Sequence, residues 1–180
     1  AVMLLTALLV SCATGPKRQL KSEADWYRGA YFYHIWVNAF ADSDGDGIGD
    51  LQGIIDRLDY IESLGVDGIW LSPIFRTAGE QQPFTNMHGY DVIDHYAINP
   101  FFGDTEVLAT LLKKAHARDI RVIFDFVPNH VSSEHPWFLA ASDPTHPEHD
   151  RYKEYFVWSD EDLDRYFKGS WNQSTWHKSR

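Results

Sequence analysis

Residues 121–130 constrain the fold more than any other stretch of this chain. Their sequence, Arg-Val-Ile-Phe-Asp-Phe-Val-Pro-Asn-His, is rich in apolar and β-branched residues and shows no alternation of polar and apolar positions. That pattern is typical of a strand that is buried on both faces of a parallel sheet. Because Pro128 has no amide hydrogen, regular strand pairing should end near it. Asn129 and His130 would then follow the carboxyl end of the strand, where parallel barrels place their sites.

Asp125 lies in the middle of this apolar run and needs a physical explanation. Burial of a carboxylate is costly unless the group is paired or hydrogen-bonded. One interpretation is a buried aspartate bound by backbone amides and followed by an ordinary turn. The other is a functional site that contains Asp125, Asn129 and His130. The segment alone leaves both interpretations open.

Two more strands and two helices are predicted upstream of this segment. Residues 31–37 and 66–74 have the composition of buried strands. Residues 51–64 predict a helix, and Asp104 is a good cap for a second one. The apolar positions of the two helical faces are Leu51, Ile54, Ile55, Leu58, Ile61 and Leu64, and then Val107, Leu108, Leu111, Leu112 and Ala115. The alternation of strands and helices predicts an α/β fold, either the start of a parallel barrel or a doubly wound sheet.

Two further stretches are predicted to be irregular. Residues 75–103 form a long loop between the second strand and the second helix, and loops of that length are usually functional. Residues 131–180 are rich in Pro, His, Asp and aromatic residues and show neither a helix nor a strand period. At 180 residues the chain is shorter than a complete (β/α)8 barrel of about 250 residues. It also begins with Ala1, so we expect the amino-terminal part of a longer protein.

An acidic loop follows the first predicted strand. Four carboxylates recur with glycines between them, and such a group repels itself unless a cation neutralises it. The candidate oxygen ligands for Ca²⁺ are the side chains of Asp42, Asp44, Asp46 and Asp50 and the carbonyl of Ile48. An EF-hand is disfavoured because its twelfth position is Gly53 and the preceding segment predicts a strand. A solvated acidic loop is the remaining alternative.

Charge and composition exclude several classes of partner. The formal net charge of −10 at pH 7 argues against nucleic acids and anionic membrane surfaces. No glycine-rich phosphate loop or dinucleotide motif follows the first strand. Seven tryptophans and an aromatic content of 15% suit both a core and the faces of sugars.

The amino-terminal residues predict export. Residues 1–12 form a signal or lipoprotein segment, since the apolar run before Cys12 is too short to span a bilayer. The sequence Leu-Val-Ser-Cys that ends at Cys12 resembles a bacterial lipoprotein box, and a plain secretory signal cleaved near Ser11 or Ala13 is the alternative. Residues 13–24 read as a tether. We expect a cell-envelope lipoprotein or a secreted or periplasmic protein, with membrane contact only through a lipid on Cys12.

Several motifs together resemble the alpha-amylase family of glycoside hydrolases. The order Asp-x-Val-x-Asn-His at residues 125–130 resembles the family's first signature segment, and His-Gly-Tyr-Asp at residues 88–91 resembles its segment after the second strand. The acidic loop is similar to the family's calcium loop, and residues 133–138 also resemble family members. The resemblance covers about residues 30–138. It implies a partial parallel (β/α)8 barrel with about the first three strands over residues 25–130, and an irregular inserted domain that starts at residues 131–180.

The resemblance also implies roles for individual residues. Tyr90 would present its ring to the sugar at the cleavage subsite, and His88 would line the same cleft. His130 would hydrogen-bond sugar hydroxyls, and Asp125 would support an arginine beside the nucleophile. Asn129 is a calcium ligand in many alpha-amylases, whereas its alternative role is to cap the turn.

The implied reaction is the retaining cleavage of α-glucosidic bonds in starch-like glucans or maltooligosaccharides, with an Asp nucleophile and a Glu acid/base. In the family's order both carboxylates come from later strands, so we expect them beyond Arg180 and no catalysis by this chain alone. A Met87–His88 pair replaces the Asp-Asn of exo-acting alpha-glucosidases, which favours an open, amylase-like cleft. The alternatives are a transglycosylating relative, such as a glucan transferase or trehalose synthase, and a non-catalytic glucan- or calcium-binding module.

Overall fold

The computed structural model of this chain describes residues 25–79 and 88–161, together with Lys168, Asn172 and Ser174. The predicted signal segment and tether, residues 1–24, lie outside the described residues, as does Met87. The chain divides into two compact units, Ala1–Ala30 and Tyr31–Arg180. In the first unit, residues 25–29 form a turn in which Arg28 donates to Asp25 at 2.6 Å.

The second unit alternates strands and helices. The elements in chain order are β1 (Phe32–Ile35), α1 (Val37–Phe40), α2 (Leu51–Asp56), α3 (Leu58–Ser63), β2 (Gly68–Leu71), β3 (Phe75–Thr77), β4 (Val92–Ile98), α4 (Thr105–His116), β5 (Arg121–Phe124), α5 (Pro136–Ser142), α6 (His149–Tyr152) and a 3₁₀ helix (Lys153–Tyr155). Among the described residues, no helix is both long enough and apolar enough to cross a membrane.

A three-stranded parallel sheet organises this unit. Its order is β1-β2-β5, so β2 is the central strand. The register aligns His34 with Trp70, and Trp70 with Ile123, in one row across the three strands. The parallel order confirms the predicted α/β class, and the connections through helices bring the carboxyl ends of all three strands to one edge.

The strands are shorter than the sequence predicted. The strand predicted over residues 31–37 ends at Ile35, because Trp36 is already the N-cap residue of α1. The other two end at Leu71 and Phe124, although the amide of Asp125 still donates to the Leu71 carbonyl at 3.0 Å. The pairing of β5 stops there because its partner strand, β2, ends at Leu71.

Burial of β5 on both faces was a wrong expectation for this chain. The exposed fractions of Ile123 and Phe124 are 37% and 40%. Ile123 is in register with the 40% exposed Trp70 of the central strand, and Phe124 lies at the open edge of the described sheet.

The helical layer covers one face of the sheet and forms the core. The buried residues of this core are Ile35, Val37, Ile48, Leu51, Ile54, Ile55, Leu58, Ile61, Ile69, Leu71, Ile74, Phe102, Leu111, Ala115 and Ile120. The helix predicted over residues 51–64 is two helices, because Arg57 leaves helical geometry at φ −105° and ψ 8°. Leu64, which the pattern placed on the apolar face, follows the end of α3 and is 43% exposed.

The segment predicted as a long irregular loop, residues 75–103, contains a β-hairpin. Strands β3 and β4 pair antiparallel, with register shifts on both sides of Arg76. These shifts interrupt the alternation of polar and apolar residues, which is why the period-two pattern was not recognised. The buried residue Asn99 follows β4, and its backbone N–H donates to the Ile74 carbonyl at 2.8 Å. The hairpin is therefore fixed against the end of β2.

The expectation of no regular structure over residues 131–180 was also wrong in part. Helix α5 begins after His135, whose Nδ1 accepts from the Trp137 amide at 3.1 Å, with Pro136 at its first position. Proline fits that position because the amide it lacks would have no helical partner there. A second, smaller core joins α5 to α6 through Ala140, Ala141 and Tyr152.

Candidate functional site

Asp125 connects three stretches of the chain at the carboxyl ends of β2 and β5. Its Oδ1 accepts from the indole Nε1 of Trp70 at 2.8 Å, and its Oδ2 accepts from the hydroxyl of Tyr90 at 2.6 Å. The carboxylate is thus bound by two side-chain donors. Because an ionised carboxylate has about four acceptor sites, both oxygens can still accept from another donor. This geometry is compatible with the predicted support of an arginine.

Tyr90 reaches Asp125 because Gly89 lets the chain pass close to β2. Gly89 has φ +78°, and a Cβ atom there would lie 2.7 Å from the Pro73 carbonyl oxygen. Both the conformation and the close approach exclude larger residues. The glycine therefore positions the ring of Tyr90 over the end of the sheet.

Two histidines fix the backbone of Tyr90. His88 Nδ1 accepts from the Tyr90 amide at 3.0 Å, and the two rings stack at 6.0 Å between centroids. His130 Nε2 lies 3.2 Å from the Tyr90 carbonyl oxygen. A carbonyl can only accept, so Nε2 of His130 carries the hydrogen and Nδ1 of the neutral ring is an acceptor. In this arrangement, Nδ1 is the His130 nitrogen that a sugar hydroxyl can use.

The structure therefore brings all four predicted sugar-site residues, His88, Tyr90, Asp125 and His130, into one hydrogen-bonded group. Their contacts with a sugar stay predictions. The sequence reasoning missed Trp70, which is 40% exposed beside the 42% exposed Tyr90. Trp70 lies inside an apolar strand, and composition alone does not tell which face of such a strand is open.

The pKa of Tyr90 is raised above 10.0, chiefly by its hydrogen bond to Asp125, then by burial and by the charge of that carboxylate. Ionisation of the phenol would place a second negative charge against Asp125 and remove the donor of the bond. The neutral phenol is therefore the stable form of Tyr90 here.

The acidic loop brings three carboxylates together. Oxygens of Asp42, Asp44 and Asp50 lie within 4.8 Å of one another. Asp42 accepts from the amides of Asp44, Gly45 and Gly47 at 3.1, 2.6 and 2.8 Å. The bonds from Gly45 and Gly47 are the main cause of a pKa of Asp42 below 3.8. The loop thus favours the ionised carboxylate that a cation requires.

Asp50 belongs to this cluster and to helix α2 at once. Its Oδ1 accepts from the Gly53 amide at 2.6 Å as the N-cap of α2, and its Oδ2 accepts from the amide and hydroxyl of Ser43, each at 2.9 Å. Of the predicted side-chain ligands, Asp46 is outside this carboxylate group, and the main-chain carbonyl of Ile48 stays a prediction. Instead, Asp46 Oδ1 accepts from the Ile48 amide at 2.7 Å.

Glycines allow the loop to fold tightly against α1. Gly45 and Gly47 have φ +86° and +90°, a region that side chains rarely adopt. A Cβ on Gly49 would lie 2.2 Å from the Val37 carbonyl oxygen, and one on Gly53 would lie 2.0 Å from that of Ala41. The loop therefore holds a fixed path between β1 and α2.

A groove of about 310 Å³ continues from His130 toward α5. It is lined by Asn129, His130 and four aromatic rings, which belong to Trp137, Phe138, Tyr155 and Phe156. Sugar rings pack well on such aromatic surfaces. The predicted roles of Asn129 stay open, and its position in this groove places it beside the candidate site.

Comparison with known proteins identifies relatives for most of the chain. A family model described as "Alpha amylase, catalytic domain" matches residues 34–179. Alpha-amylase 3 of Dictyoglomus thermophilum is 44% identical over 154 residues, covering 85% of this chain and 28% of the relative. The trehalose synthase/amylase TreS of Mycolicibacterium smegmatis is 43% identical over 153 residues, covering 84% of this chain and 24% of the relative.

Solved structures agree with these matches. The crystal structure of alpha-amylase from H. orenii has a TM-score of 0.64 and 46% identity, covering 74% of this chain and 27% of that one. The chain spans about a quarter of the length of the relatives it matches. Together with the parallel order of β1, β2 and β5, the matches confirm the resemblance and the partial (β/α)8 barrel.

The bond between Tyr90 and Asp125 predicts a measurable titration. In the complete protein, Asp125→Asn should lower the pKa of Tyr90 toward 10.0, since the charge that opposes phenolate formation is removed. The signal is the difference between the ultraviolet titration of each protein and that of its Tyr90→Phe counterpart, which isolates the contribution of Tyr90. Asp59→Asn on α3 is the control and should not change it. Equal Tyr90 titration in the wild type and in Asp125→Asn would contradict the bond.

Proposed function

The chain belongs to the alpha-amylase family of glycoside hydrolases, and from that premise we propose that the complete protein cleaves α-glucosidic bonds in starch-like glucans or maltooligosaccharides with retention of configuration. The observation that carries this proposal is the group formed by Asp125, Tyr90, Trp70 and His130. It combines half-exposed aromatic rings with fixed hydrogen-bonding atoms at the carboxyl edge of a parallel sheet. That edge is where barrel enzymes bind their substrates.

Each residue of this group has a distinct part in the proposed site. The ring of Tyr90 packs against the CH groups of the sugar at the cleavage subsite, and Asp125 fixes its orientation through the hydroxyl. His130 offers Nδ1 to a sugar hydroxyl, while its Nε2 holds the Tyr90 backbone. Such bonds to sugar hydroxyls strengthen as positive charge develops on the ring in the transition state.

The two carboxylates of a retaining mechanism are a nucleophile and an acid/base about 5–5.5 Å apart. We assign neither role to a residue of this chain. Asp125 has its two oxygens bound by Trp70 and Tyr90, which suits a positioning role next to the reacting groups. We place the nucleophile and the acid/base on later strands of the complete protein, beyond Arg180.

Replacement of Tyr90 tests the proposed substrate contact. In the complete protein acting on maltooligosaccharides, Tyr90→Ala should lower kcat/KM by about tenfold or more, which corresponds to about 1.4 kcal/mol of transition-state binding. Tyr90→Phe keeps the ring and loses only the bond to Asp125, so its loss should be smaller. Tyr27→Ala, an exposed tyrosine of the first unit, is the control. Proton NMR of the first product should show the α-anomer; a β-anomer would overturn the retaining assignment.

Transglycosylation is the second candidate activity. The similarity to a protein named trehalose synthase/amylase favours it as much as hydrolysis, because both kinds of relative match a similar share of this chain at nearly the same identity. Incubation with maltose separates them, since hydrolysis yields glucose whereas transfer yields a rearranged disaccharide or longer chains. A purely sugar-binding module is disfavoured because the matching family model describes a catalytic domain.

We further propose that the acidic loop binds Ca²⁺. The support is the fit of the donor set, since Asp42, Asp44 and Asp50 supply hard carboxylate oxygens within 4.8 Å of one another. The Asp46 side chain and the Ile48 carbonyl would complete the ligand set after a local rearrangement of the loop. A bound calcium ion would neutralise the repulsion among the carboxylates and stabilise the connection between β1 and α2.

Chelation tests the calcium proposal. Addition of EDTA should lower the Tm of the complete protein, and excess Ca²⁺ should restore it. Asp44→Asn should remove most of this difference, because it deletes one charge of the cluster but keeps the acceptor for the Asp46 amide. Asp56→Asn, on the exposed face of α2, is the matched control. Unchanged melting of the wild type after chelation would identify the loop as solvated surface.

We also propose that the protein is exported and anchored by a lipid on Cys12. The support comes from the sequence alone, since residues 1–24 lie outside the described part of the structure. A lipidated cysteine would hold the protein at a cell-envelope membrane without a spanning helix. The competing proposal is a secreted or periplasmic protein without the lipid.

Fractionation of cells that express the complete gene tests the anchor. Cys12→Ser should move the protein from the membrane fraction to the soluble fraction, because the acceptor of the lipid is lost. Ser11→Ala, which keeps the cysteine, is the control. The same distribution for wild type and Cys12→Ser would exclude lipidation at this position.

A further inference from the structure

Two neighbouring histidines lie outside the sugar-site group described above. His95 is on β4, and His135 is the N-cap residue of α5 and only 3% exposed. Their ring centroids are 5.6 Å apart, and both rings pack on Trp137. The pair therefore lies where the β3–β4 hairpin meets α5.

The hydrogen bonds of each ring determine which nitrogen carries its hydrogen. His95 Nε2 is 3.1 Å from the Val127 carbonyl oxygen, so Nε2 must be the donor and Nδ1 of the neutral ring is an acceptor. His135 Nδ1 accepts from the Trp137 amide, so the hydrogen of its neutral ring is on Nε2. Both rings are therefore Nε2–H tautomers.

The other two ring nitrogens are complementary. His95 Nδ1, an acceptor, and His135 Nε2, a donor, are buried and have no hydrogen-bond partner among the described residues. Buried polar groups of this kind are normally satisfied. A small rotation or one bridging water lets the donor of one ring serve the acceptor of the other. This match exists only while both rings are neutral.

We propose that the neutral His95–His135 pair is a clasp whose two histidines position the sugar-site residues, and that protonation of either ring loosens the cleft. Its influence on substrate binding rests on the proposed function. His95 bonds to Val127, a residue that lies between Asp125 and His130 in the sequence. His95 itself is on β4, which begins two residues after Tyr90. The clasp therefore joins the two segments that supply the site.

Protonation of either histidine breaks the clasp. A charged His95 presents a second donor toward the Nε2–H of His135. A charged His135 loses the acceptor that caps α5. The charged residues that line the same groove as His135 are Arg76 on β3, Asp94 on β4 and Glu134 before α5.

For His135, burial outweighs the charge of the nearby Asp94. Desolvation is the main cause that lowers the pKa of His135 below 6.5, and the His95 ring adds to it, whereas the charge of Asp94 opposes the shift. Because the folded pKa is depressed, the stability that the neutral ring supplies is present above pH 6.5 and is lost as the pH falls from there through the folded value.

The first test does not depend on enzymatic activity. Nitrogen-15 NMR of the complete protein labelled at histidine should show His95 and His135 as Nε2–H tautomers at neutral pH, assigned by comparison with His95→Phe and His135→Asn. The titration midpoint of His135 should fall below 6.5. An Nδ1–H tautomer for either ring, or a charged His135 at neutral pH, overturns the clasp.

The second test measures the effect on the cleft. On maltooligosaccharides, the KM of the wild type should rise roughly twofold to tenfold as the pH falls through the histidine range, as expected for the loss of one hydrogen bond. His135→Asn keeps an oxygen that can cap α5 and His95→Phe keeps an aromatic ring, so both variants should have a raised KM at neutral pH and a flatter dependence on pH. His116→Gln, on the exposed face of α4, is the control.

The two tests separate the clasp from the proposed function. Identical KM profiles in the wild type and both clasp variants would overturn the positioning role even if the tautomers are as inferred. If the complete protein does not act on glucans, the proposed function fails, whereas the tautomers and the His135 titration still test the neutral histidine pair by itself.

Discussion

The carboxylate of Asp125 is the contact on which the candidate site depends. It holds the indole of the central strand and the phenol of the hairpin with one oxygen each. Neither ring is buried enough to be fixed by packing, since Trp70 and Tyr90 are both about two-fifths exposed. Charge-assisted hydrogen bonds are stronger than neutral ones, and here they replace the packing that a closed core would supply. The same carboxylate therefore sets the orientation of the two rings that we propose as a sugar platform, and it keeps the phenol of Tyr90 neutral.

Sequence reasoning was better at naming residues that come together in the structure than at predicting the secondary structure around them, and the sugar-binding roles of those residues stay predictions. His88, Tyr90, Asp125 and His130 were identified from short motifs, because a site requires specific residue types at fixed spacing. The β3–β4 hairpin was missed, since register shifts at Arg76 hide the alternation that marks a strand. The sequence also did not show that Trp70 is on the exposed face of the sheet, because a continuously apolar strand does not reveal which of its two faces is buried.

The ends of strands and helices were also predicted poorly, because they depend on contacts between segments that are distant in sequence. The strand before Asp125 ends early because its partner ends at Leu71, and nothing within residues 121–130 contains that information. Helix α5 carried a local signal, a proline at its first position after a capping histidine, which was overlooked among many aromatic residues. In the acidic loop, the spacing of the aspartates predicted one set of calcium ligands. The backbone path brings only three of those carboxylates together, Asp42, Asp44 and Asp50, among the described residues.

The two contacts of Asp50 couple the local unfolding of the acidic loop to that of helix α2. One of its oxygens closes the acidic loop through Ser43, and the other caps the first turn of α2 through Gly53. Fraying of the helix end therefore releases the loop, and opening of the loop removes the helix cap. Segments that share a contact in this way exchange their amide hydrogens together. We expect the loop and the first turn of α2 to behave as a single cooperative unit in local unfolding.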